Sequence, residues 1–277
     1  MAFNFHHLKV DYEAGQKWTL KAFDFEELKR LFHTWGKEMS DHDGWSALFL
    51  NNHDQPRALN RFVNVENFRN EGATMLAASI HLSRGTPYIY MGEEIGMVDP
   101  DYDSMEDYVD VESLNAYQTL LAEGQSPEAA FRIIKAKSRD NSRTPMQWDD
   151  SANAGFTTGT PWLKAGKSYP IINVENEIKG PIFSFYQKLI ALRKELPIIA
   201  EGSYQPAYED SPQVYAFERE WQGQKLLVLN NFYKDPITVD ILPDYQNGQV
   251  LLSNYGRTQI DHILTLQPYE TLAILVN

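Results

Sequence analysis

Residues 47–57 read Ala47-Leu48-Phe49-Leu50-Asn51-Asn52-His53-Asp54-Gln55-Pro56-Arg57, a short apolar run that stops in polar side chains. The apolar residues predict a strand that is buried on both faces, and Pro56 cannot continue a hydrogen-bonded ladder. In parallel α/β proteins, functional side chains follow the carboxyl ends of the strands. We therefore expect a functional site at this point of the chain. A polar turn after a core strand is the alternative if the stretch is taken alone.

The sequence around this stretch alternates between strands and helices. Apolar runs at residues 3–5 and 88–91 predict two further strands. Asp24 with Glu27 has the spacing of a capping box before a first helix, and residues 67–83 predict a second helix. Strand–helix–strand units give parallel neighbours with right-handed crossovers. We interpret the fold class as α/β, the latter part of a (β/α)8 barrel, with a doubly wound sheet as the alternative.

The pattern of alternating strands and helices changes at two points further along the chain. Residues 98–179 form a long excursion with predicted helices at 116–123 and 127–137, and such an excursion after a barrel strand is typical of an active-site wall. A helix ending near Pro197 completes a first domain, residues 1–197. Residues 198–277 contain six short runs rich in β-branched or aromatic residues, which predict an antiparallel β-sandwich domain that packs on the first.

Composition narrows the possible partners and compartments. A net charge of −13 argues against nucleic acid or an anionic membrane as the partner. The chain has no cysteine, which excludes disulfides, thiolate catalysis and cysteine metal sites and fits a reducing cytoplasm. No apolar run approaches the roughly 20 residues of a membrane span. We expect a cytoplasmic protein that acts on a small molecule and needs no metal or other cofactor.

Three ordered motifs carry a family resemblance. They are Asn51-Asn52-His53-Asp54, Gly92-Glu93-Glu94-Ile95-Gly96, and Ser138-Arg139-Asp140-Asn141-Ser142-Arg143-Thr144-Pro145-Met146-Gln147-Trp148-Asp149. Together they resemble signatures of the α-amylase family (glycoside hydrolase family 13), in its oligo-1,6-glucosidase branch. The resemblance implies a TIM-type barrel in which residues 3–5, 48–50 and 88–91 are about the sixth, seventh and eighth strands, followed by the family's C-terminal β domain.

The resemblance also implies three catalytic carboxylates, of which only the last has a counterpart here. Asp54 corresponds to the carboxylate after the seventh strand, which stabilises the transition state. The nucleophile and the general acid follow the fourth and fifth strands and are expected upstream of Met1. We therefore interpret the chain as the C-terminal part of a longer retaining α-glucoside hydrolase, inactive by itself. An incomplete barrel would expose Phe3, Phe5, Phe49 and Tyr88, so a dimer or pairing of strand edges is expected.

The same resemblance assigns substrate contacts around Asp54. His53 and Arg139 are expected to bind sugar hydroxyls in the same subsite, with a structural role as the alternative for each: a satisfied wall histidine, and a salt bridge within the loop. Arg143 is a weaker candidate, and Arg57, Glu93 and Glu94 are expected to hold loops together.

Substrate choice depends on a local cluster of positive charge. Lys9, Lys17 and His7 follow the first strand in a protein that is otherwise acidic, which favours capture of an anionic group. Within the family, this pattern resembles the enzymes that cleave trehalose 6-phosphate to glucose and glucose 6-phosphate, which implies that these three side chains bind its 6-phosphate. The alternatives are solvated loop charges on an oligo-1,6-glucosidase or dextran glucosidase that acts on neutral isomaltosaccharides, and a non-catalytic barrel that serves as a binding or scaffold module.

Overall fold

A computed structural model describes all 277 residues. Its strands are β1 (Ala2–Phe3), β2 (Ser46–Leu48), β3 (Thr86–Pro87), β4 (Gln205–Ala207), β5 (Val214–Trp221), β6 (Gln224–Asn231), β7 (Ile237–Asp240), β8 (Gln249–Ser253), β9 (Ile263–Leu266) and β10 (Thr271–Val276). Its helices are α1 (Phe25–Asp41), α2 (Ala58–Phe62), α3 (Val65–His81), α4 (Val111–Ala122), α5 (Pro127–Lys137), α6 (Val174–Glu177), α7 (Pro181–Glu195) and α8 (Pro197–Glu201). None of the helices is both long enough and apolar enough to cross a membrane.

The first part of the chain forms a parallel sheet in the order β1-β2-β3, which confirms the predicted parallel pairing. The strands are shorter than predicted and lie one to two residues earlier in the chain. Only Ala2–Phe3, Ser46–Leu48 and Thr86–Pro87 pair, because the backbone beyond them leaves the ladder for turns and short 3-10 helices. Gly85 stands immediately before β3 with φ 140°, and a Cβ there would lie 2.3 Å from the Ser46 carbonyl oxygen. Glycine is therefore required where α3 turns into β3.

Capping residues in the sequence mark the starts of two helices, α1 and α5. The Asp24 carboxylate accepts the backbone N–H of Glu27 at 3.0 Å, as the capping-box spacing predicts, and α1 follows. In the excursion, Ser126 caps α5 with Pro127 in its first turn, and the helix spans the predicted residues 127–137. Buried side chains of α1, α3 and α7 then form one core together with the antiparallel sheet.

The rest of the chain builds a five-stranded antiparallel sheet, in the order β4-β5-β6-β10-β8, and a two-stranded sheet of β7 and β9. Side chains alternate between the two faces of β5, as its pleat requires. Tyr215 and Phe217 join the core against the helices, whereas Val214 and Ala216 pack towards β7 and β9. This part of the chain thus packs on the helical part, as the sequence predicted, with β7 and β9 covering its other face.

Two arginines, the buried Arg219 and the partly buried Arg193, bind carbonyl groups at the carboxyl end of α3. Arg219 of β5 donates to the carbonyl oxygens of Ser203 at 2.7 Å, Gly202 at 2.5 Å, Ile199 at 3.0 Å and Leu82 at 3.2 Å. Arg193 of α7 donates to those of His81 at 2.6 Å, Ser83 at 2.8 Å and Gly85. A positive charge at this end complements the helix dipole, and the carbonyls would otherwise be buried without donors.

The open face of the parallel sheet carries aromatic side chains. Phe3, Phe5 and Tyr88 are 50%, 51% and 41% exposed, as expected for an incomplete barrel. The expectation is wrong for Phe49, which is only 5% exposed. It is covered because the rings of Phe3, Phe5 and His7 pack on it at centroid distances of 5.1–5.9 Å.

We predict that Arg219→Met lowers the free energy of unfolding by about 3 kcal/mol, because several buried carbonyls lose their donor. The matched control is Arg30→Met, which removes an exposed arginine paired only with Glu27 and should leave stability nearly unchanged. Urea unfolding followed by circular dichroism measures both variants. Equal stability of the two variants would contradict the structural role assigned to Arg219.

Candidate active site

The loops after the three parallel strands meet at one edge of the sheet. The Gln55 side chain, after β2, donates to the Tyr12 hydroxyl, after β1, at 3.1 Å. The Tyr90 hydroxyl, after β3, donates to the carbonyl of Ser142 in the excursion at 2.9 Å. Because parallel strands end on the same side, three separate loops and the excursion are brought together here.

Asp54 lies at the centre of this meeting point and is half-exposed, with 51% of its side chain accessible. Its Oδ1 accepts from Nη2 of Arg143 at 3.0 Å and lies 3.5 Å from Nη1 of Arg139. The His53 Nε2 is 3.4 Å from its Oδ2, and the His53 side chain is 68% exposed. Arg143 also donates to the His53 carbonyl oxygen at 2.6 Å. The structure thus brings the predicted residues Asp54, His53 and Arg139 together.

Arg143 was the weaker sequence candidate, yet it makes the shorter contact with Asp54. It follows the one-turn 3-10 helix Arg139–Ser142, which Ser138 caps. Arg139 and Arg143 therefore come from one short segment and approach the same carboxylate oxygen. Planar guanidinium groups suit this task, because they hold a carboxylate in a fixed orientation.

A buried carboxylate contacts the same two arginines as Asp54 does. Asp110 accepts from Nη2 of Arg139 at 2.7 Å, and its Oδ1 lies 3.8 Å from Nη1 of Arg143. Burial opposes ionisation of Asp110, but the hydrogen bond and charge of Arg139 outweigh it and hold the pKa below its usual value. Asp140 fixes the position of Asp110, since one of its oxygens accepts the backbone N–H groups of Val109 and Asp110, both at 2.9 Å.

Lys17 joins this network through an acidic partner. Its Nζ lies 3.1 Å from Oε2 of Glu112, and Glu112 in turn lies 3.5 Å from Nε of Arg139. The ammonium group also stands 4.7 Å from the centre of the Trp18 ring. Burial lowers the pKa of Lys17, against the charge of Glu112. Lys17 is therefore close to the Asp54 cluster, as expected, but in this structure it is already paired.

The two other predicted phosphate ligands are placed differently. Lys9 is exposed and makes no ion pair, so its charge is available to a ligand. His7 is only 6% exposed, and burial, with the charge of Arg61, lowers its pKa to about 4. A neutral imidazole packed on Phe49 supplies no positive charge near pH 7, so the structure gives no support for His7 as a phosphate ligand.

The prediction that Arg57, Glu93 and Glu94 hold loops together is confirmed. Arg57 is 1% exposed and donates to the Met91 carbonyl at 3.0 Å. Glu93 accepts from the Asn51 amide at 2.5 Å, and burial raises its pKa to about 8. Glu94 accepts the backbone N–H of Gly92 at 2.8 Å. The contacts of Arg57 and Glu93 join the loops that follow β2 and β3, whereas that of Glu94 lies within the second loop.

Sequence reasoning missed the acidic half of the site. Asp110, Glu112 and Asp140 lie in the excursion, and the acidic composition of residues 99–112 was the only signal for the first two. Spacing could not show which of those carboxylates faces the arginines. No three acidic or histidine side chains are arranged to hold a metal ion.

Comparison with known proteins gives matches over nearly the whole chain. The family described as "Alpha amylase, catalytic domain" matches residues 1–202, and "Alpha-amylase SusG C-terminal domain" matches residues 214–272. The chain is 44% identical to trehalose-6-phosphate hydrolase of Bacillus subtilis, covering 98% of this chain and 50% of that protein. It is 43% identical to oligo-1,6-glucosidase of Parageobacillus thermoglucosidasius, with 98% and 49% covered.

Solved structures give the same result. The crystal structure of trehalose-6-phosphate hydrolase from Bacillus licheniformis superposes with a TM-score of 0.94 at 45% identity, covering 99% of this chain and 50% of that one. Trehalulose synthase from Pseudomonas mesoacidophila superposes with a TM-score of 0.91 at 33% identity, with 100% and 51% covered. The chain spans about half the length of the relatives that it matches. It belongs to the α-amylase family of glycoside hydrolases.

Proposed function

We propose that this chain is the C-terminal part of a retaining α-glucoside hydrolase that cleaves trehalose 6-phosphate to glucose and glucose 6-phosphate. The observation that carries the proposal is Asp54, a half-exposed carboxylate that two arginines hold at the shared edge of three parallel strands. The similarity to trehalose-6-phosphate hydrolases over nearly the whole chain supports it. A cysteine-free, acidic chain with a phosphosugar substrate fits the cytoplasm.

The domain assignment forms part of this proposal. Strands β1, β2 and β3 would be the last three strands of the (β/α)8 barrel, within a catalytic domain of residues 1–197. Residues 198–277 would be the C-terminal β-sandwich domain. The family matches at 1–202 and 214–272 support a division near this point, and the parallel order β1-β2-β3 supports consecutive barrel strands.

The proposed chemistry assigns a charge-stabilising role to Asp54. A retaining glycosidase passes through an oxocarbenium-like transition state, in which the sugar ring gains positive charge. A carboxylate that accepts hydrogen bonds from the ring hydroxyls favours that state over the neutral ground state. Arg139 and Arg143 bind Oδ1 and so fix the orientation of the group. Oδ2, next to His53, is left for a sugar hydroxyl, to which His53 would bind as well.

Two positions favour a phosphorylated sugar. Lys9 is an unpaired cation in the loop after β1, and Lys17 stands beside Glu112 within the same network as Arg139. A phosphate group arriving at Lys17 would compete with Glu112 for the ammonium. The existing Lys17–Glu112 pair is also the observation that favours the second candidate, an oligo-1,6-glucosidase or dextran glucosidase acting on neutral isomaltosaccharides, and one such relative is 43% identical.

The alternative hypothesis from another functional class is a non-catalytic scaffold or binding module. Such a module has no need for an arginine-oriented carboxylate at a solvent-accessible mouth. Asp54, Asp110 and both arginines are all in place here, which favours the enzymatic reading.

The first prediction from this proposal concerns the longer enzyme, in which these residues are joined to the upstream half present in the relatives. In that enzyme, Lys9→Ala should raise KM for trehalose 6-phosphate about tenfold or more, because a charge-assisted bond is lost. Hydrolysis of isomaltose should not change. Steady-state kinetics on both substrates measure this, with Lys194→Ala, an exposed lysine outside the site, as the control. Efficient isomaltose turnover together with unchanged phosphosugar hydrolysis in Lys9→Ala would establish the neutral-sugar reading instead.

The 277 residues alone should not hydrolyse trehalose 6-phosphate or p-nitrophenyl α-glucoside, since the proposed nucleophile and general acid are not among them. The rate should equal that of an Asp54→Asn variant and of buffer. Turnover that disappears in Asp54→Asn would show that the chain carries a complete catalytic set.

We also propose that the isolated chain associates through the parallel sheet, because β1 and β3 have open edges and the aromatic side chains of Phe3, Phe5 and Tyr88 are exposed. Sedimentation equilibrium should show a dimer or larger species. Phe3→Ser/Phe5→Ser should shift it towards monomer, and Ile171→Ser, an exposed apolar residue elsewhere, should not. A monomeric parent chain at high concentration would contradict association.

A further inference from the structure

A cavity of about 610 Å³ lies behind the arginine-bearing segment and outside the cluster around Asp54. It is bounded by the loop that follows β1, by α2, by the segment after β3 and by α5. Eight of its thirteen lining residues carry a charged side chain. Neither Lys9 nor Lys17 lines it, so it is separate from the proposed substrate phosphate site.

Two of the lining cations are buried and share one carboxylate. Asp11 lies 2.8 Å from Nη2 of Arg61 and 2.8 Å from Nζ of Lys137, whose side chains are 3% and 6% exposed. The Nη1 atom of Arg61 has no hydrogen-bond partner. Two buried positive charges against one negative charge leave a surplus, and an unpartnered buried donor is costly. This side of the cavity therefore carries an excess of positive charge.

The other two carboxylates of the lining are already engaged. Asp99 accepts the backbone N–H of Arg57 at 2.9 Å and the Asn141 amide at 3.1 Å, and burial raises its pKa to about 7. Asp101 pairs with Lys135 at 2.5 Å. Both carboxyl groups are thus held by contacts within the chain.

The rim adds unpaired positive charge. Lys21 and Arg132 are exposed, line the cavity and form no ion pair. In total the lining carries five cationic side chains and three carboxyl groups. In a chain of net charge −13, such a concentration of positive charge around one cavity needs a physical reason.

We propose that this cavity binds a phosphate dianion, either free or as the phosphate group of a sugar phosphate. A dianion matches the surplus of two cationic groups, and its oxygens suit both an ammonium and a guanidinium group. The site is independent of the proposed hydrolase activity, since none of its residues was assigned to that chemistry. Lys137 stands two residues before Arg139, so an occupant would sit directly behind the segment that orients Asp54.

Titration of inorganic phosphate into the 277-residue chain in a phosphate-free buffer tests the proposal. Binding is measured by calorimetry and by the methyl signals of Ala22 and Ala136, which line the cavity. We expect saturable binding that shifts both signals. The double variant Lys21→Gln/Arg132→Gln should weaken this binding at least tenfold, whereas Lys9→Gln should leave the shifts of the two methyl signals unchanged.

The matched control is Lys179→Gln/Lys194→Gln, which removes two exposed charges that are outside the lining. It should change the affinity by less than threefold. Absence of saturable binding, equal weakening in both double variants, or loss of binding only in Lys9→Gln would each overturn the proposal. A parallel titration with glucose 6-phosphate, followed at the same two methyl signals, identifies the source of the phosphate group: tighter binding than inorganic phosphate indicates a sugar phosphate, and weaker binding indicates the free ion.

Discussion

The candidate site depends on one ionic arrangement, in which Arg139 and Arg143 lie between Asp54 and Asp110. A half-exposed carboxylate on a loop is free to rotate in water, whereas a functional group in a site needs a fixed orientation. Two guanidinium groups on one oxygen remove that freedom. Asp110, which Asp140 fixes through its backbone, prevents the arginines from following Asp54 into solvent. The geometry at the rim is thus set by buried groups behind it.

The elements that carry the site are likewise held by buried groups behind them. The helices behind the parallel sheet pack on the antiparallel sheet in one continuous apolar core, and Arg193 and Arg219 satisfy the carbonyls where α3 ends. Since α3 leads directly into β3, the position of that strand end depends on a contact with the C-terminal sheets. The antiparallel part has no group in the candidate site, and its contribution is to hold the strand ends in place.

Sequence alone determined those features whose causes are local. Capping residues, Pro and Gly at helix ends, and alternation along short β runs depend on neighbours within a few positions, so α1, α5 and most antiparallel strands were predicted closely. The family motifs, with Asp54 and Arg139 among them, were equally visible, because each is a contiguous stretch. The recognition of the α-amylase family, which the comparisons confirm, rested on these alone.

Tertiary structure decided everything that depends on residues far apart in the chain. The parallel strands are shorter than their apolar runs, because a residue belongs to a strand only where the neighbouring strand forms hydrogen bonds with it. His7 is buried against Phe49, and Lys17 is paired with Glu112. These partners are 42 and 95 positions away in the chain, so the sequence could not show either contact. Composition indicated an acidic excursion but could not choose Asp110 as the residue facing the arginines. Charge and hydrophobicity can be read along a chain, whereas the partner of each charge is fixed only when the fold brings distant segments into contact.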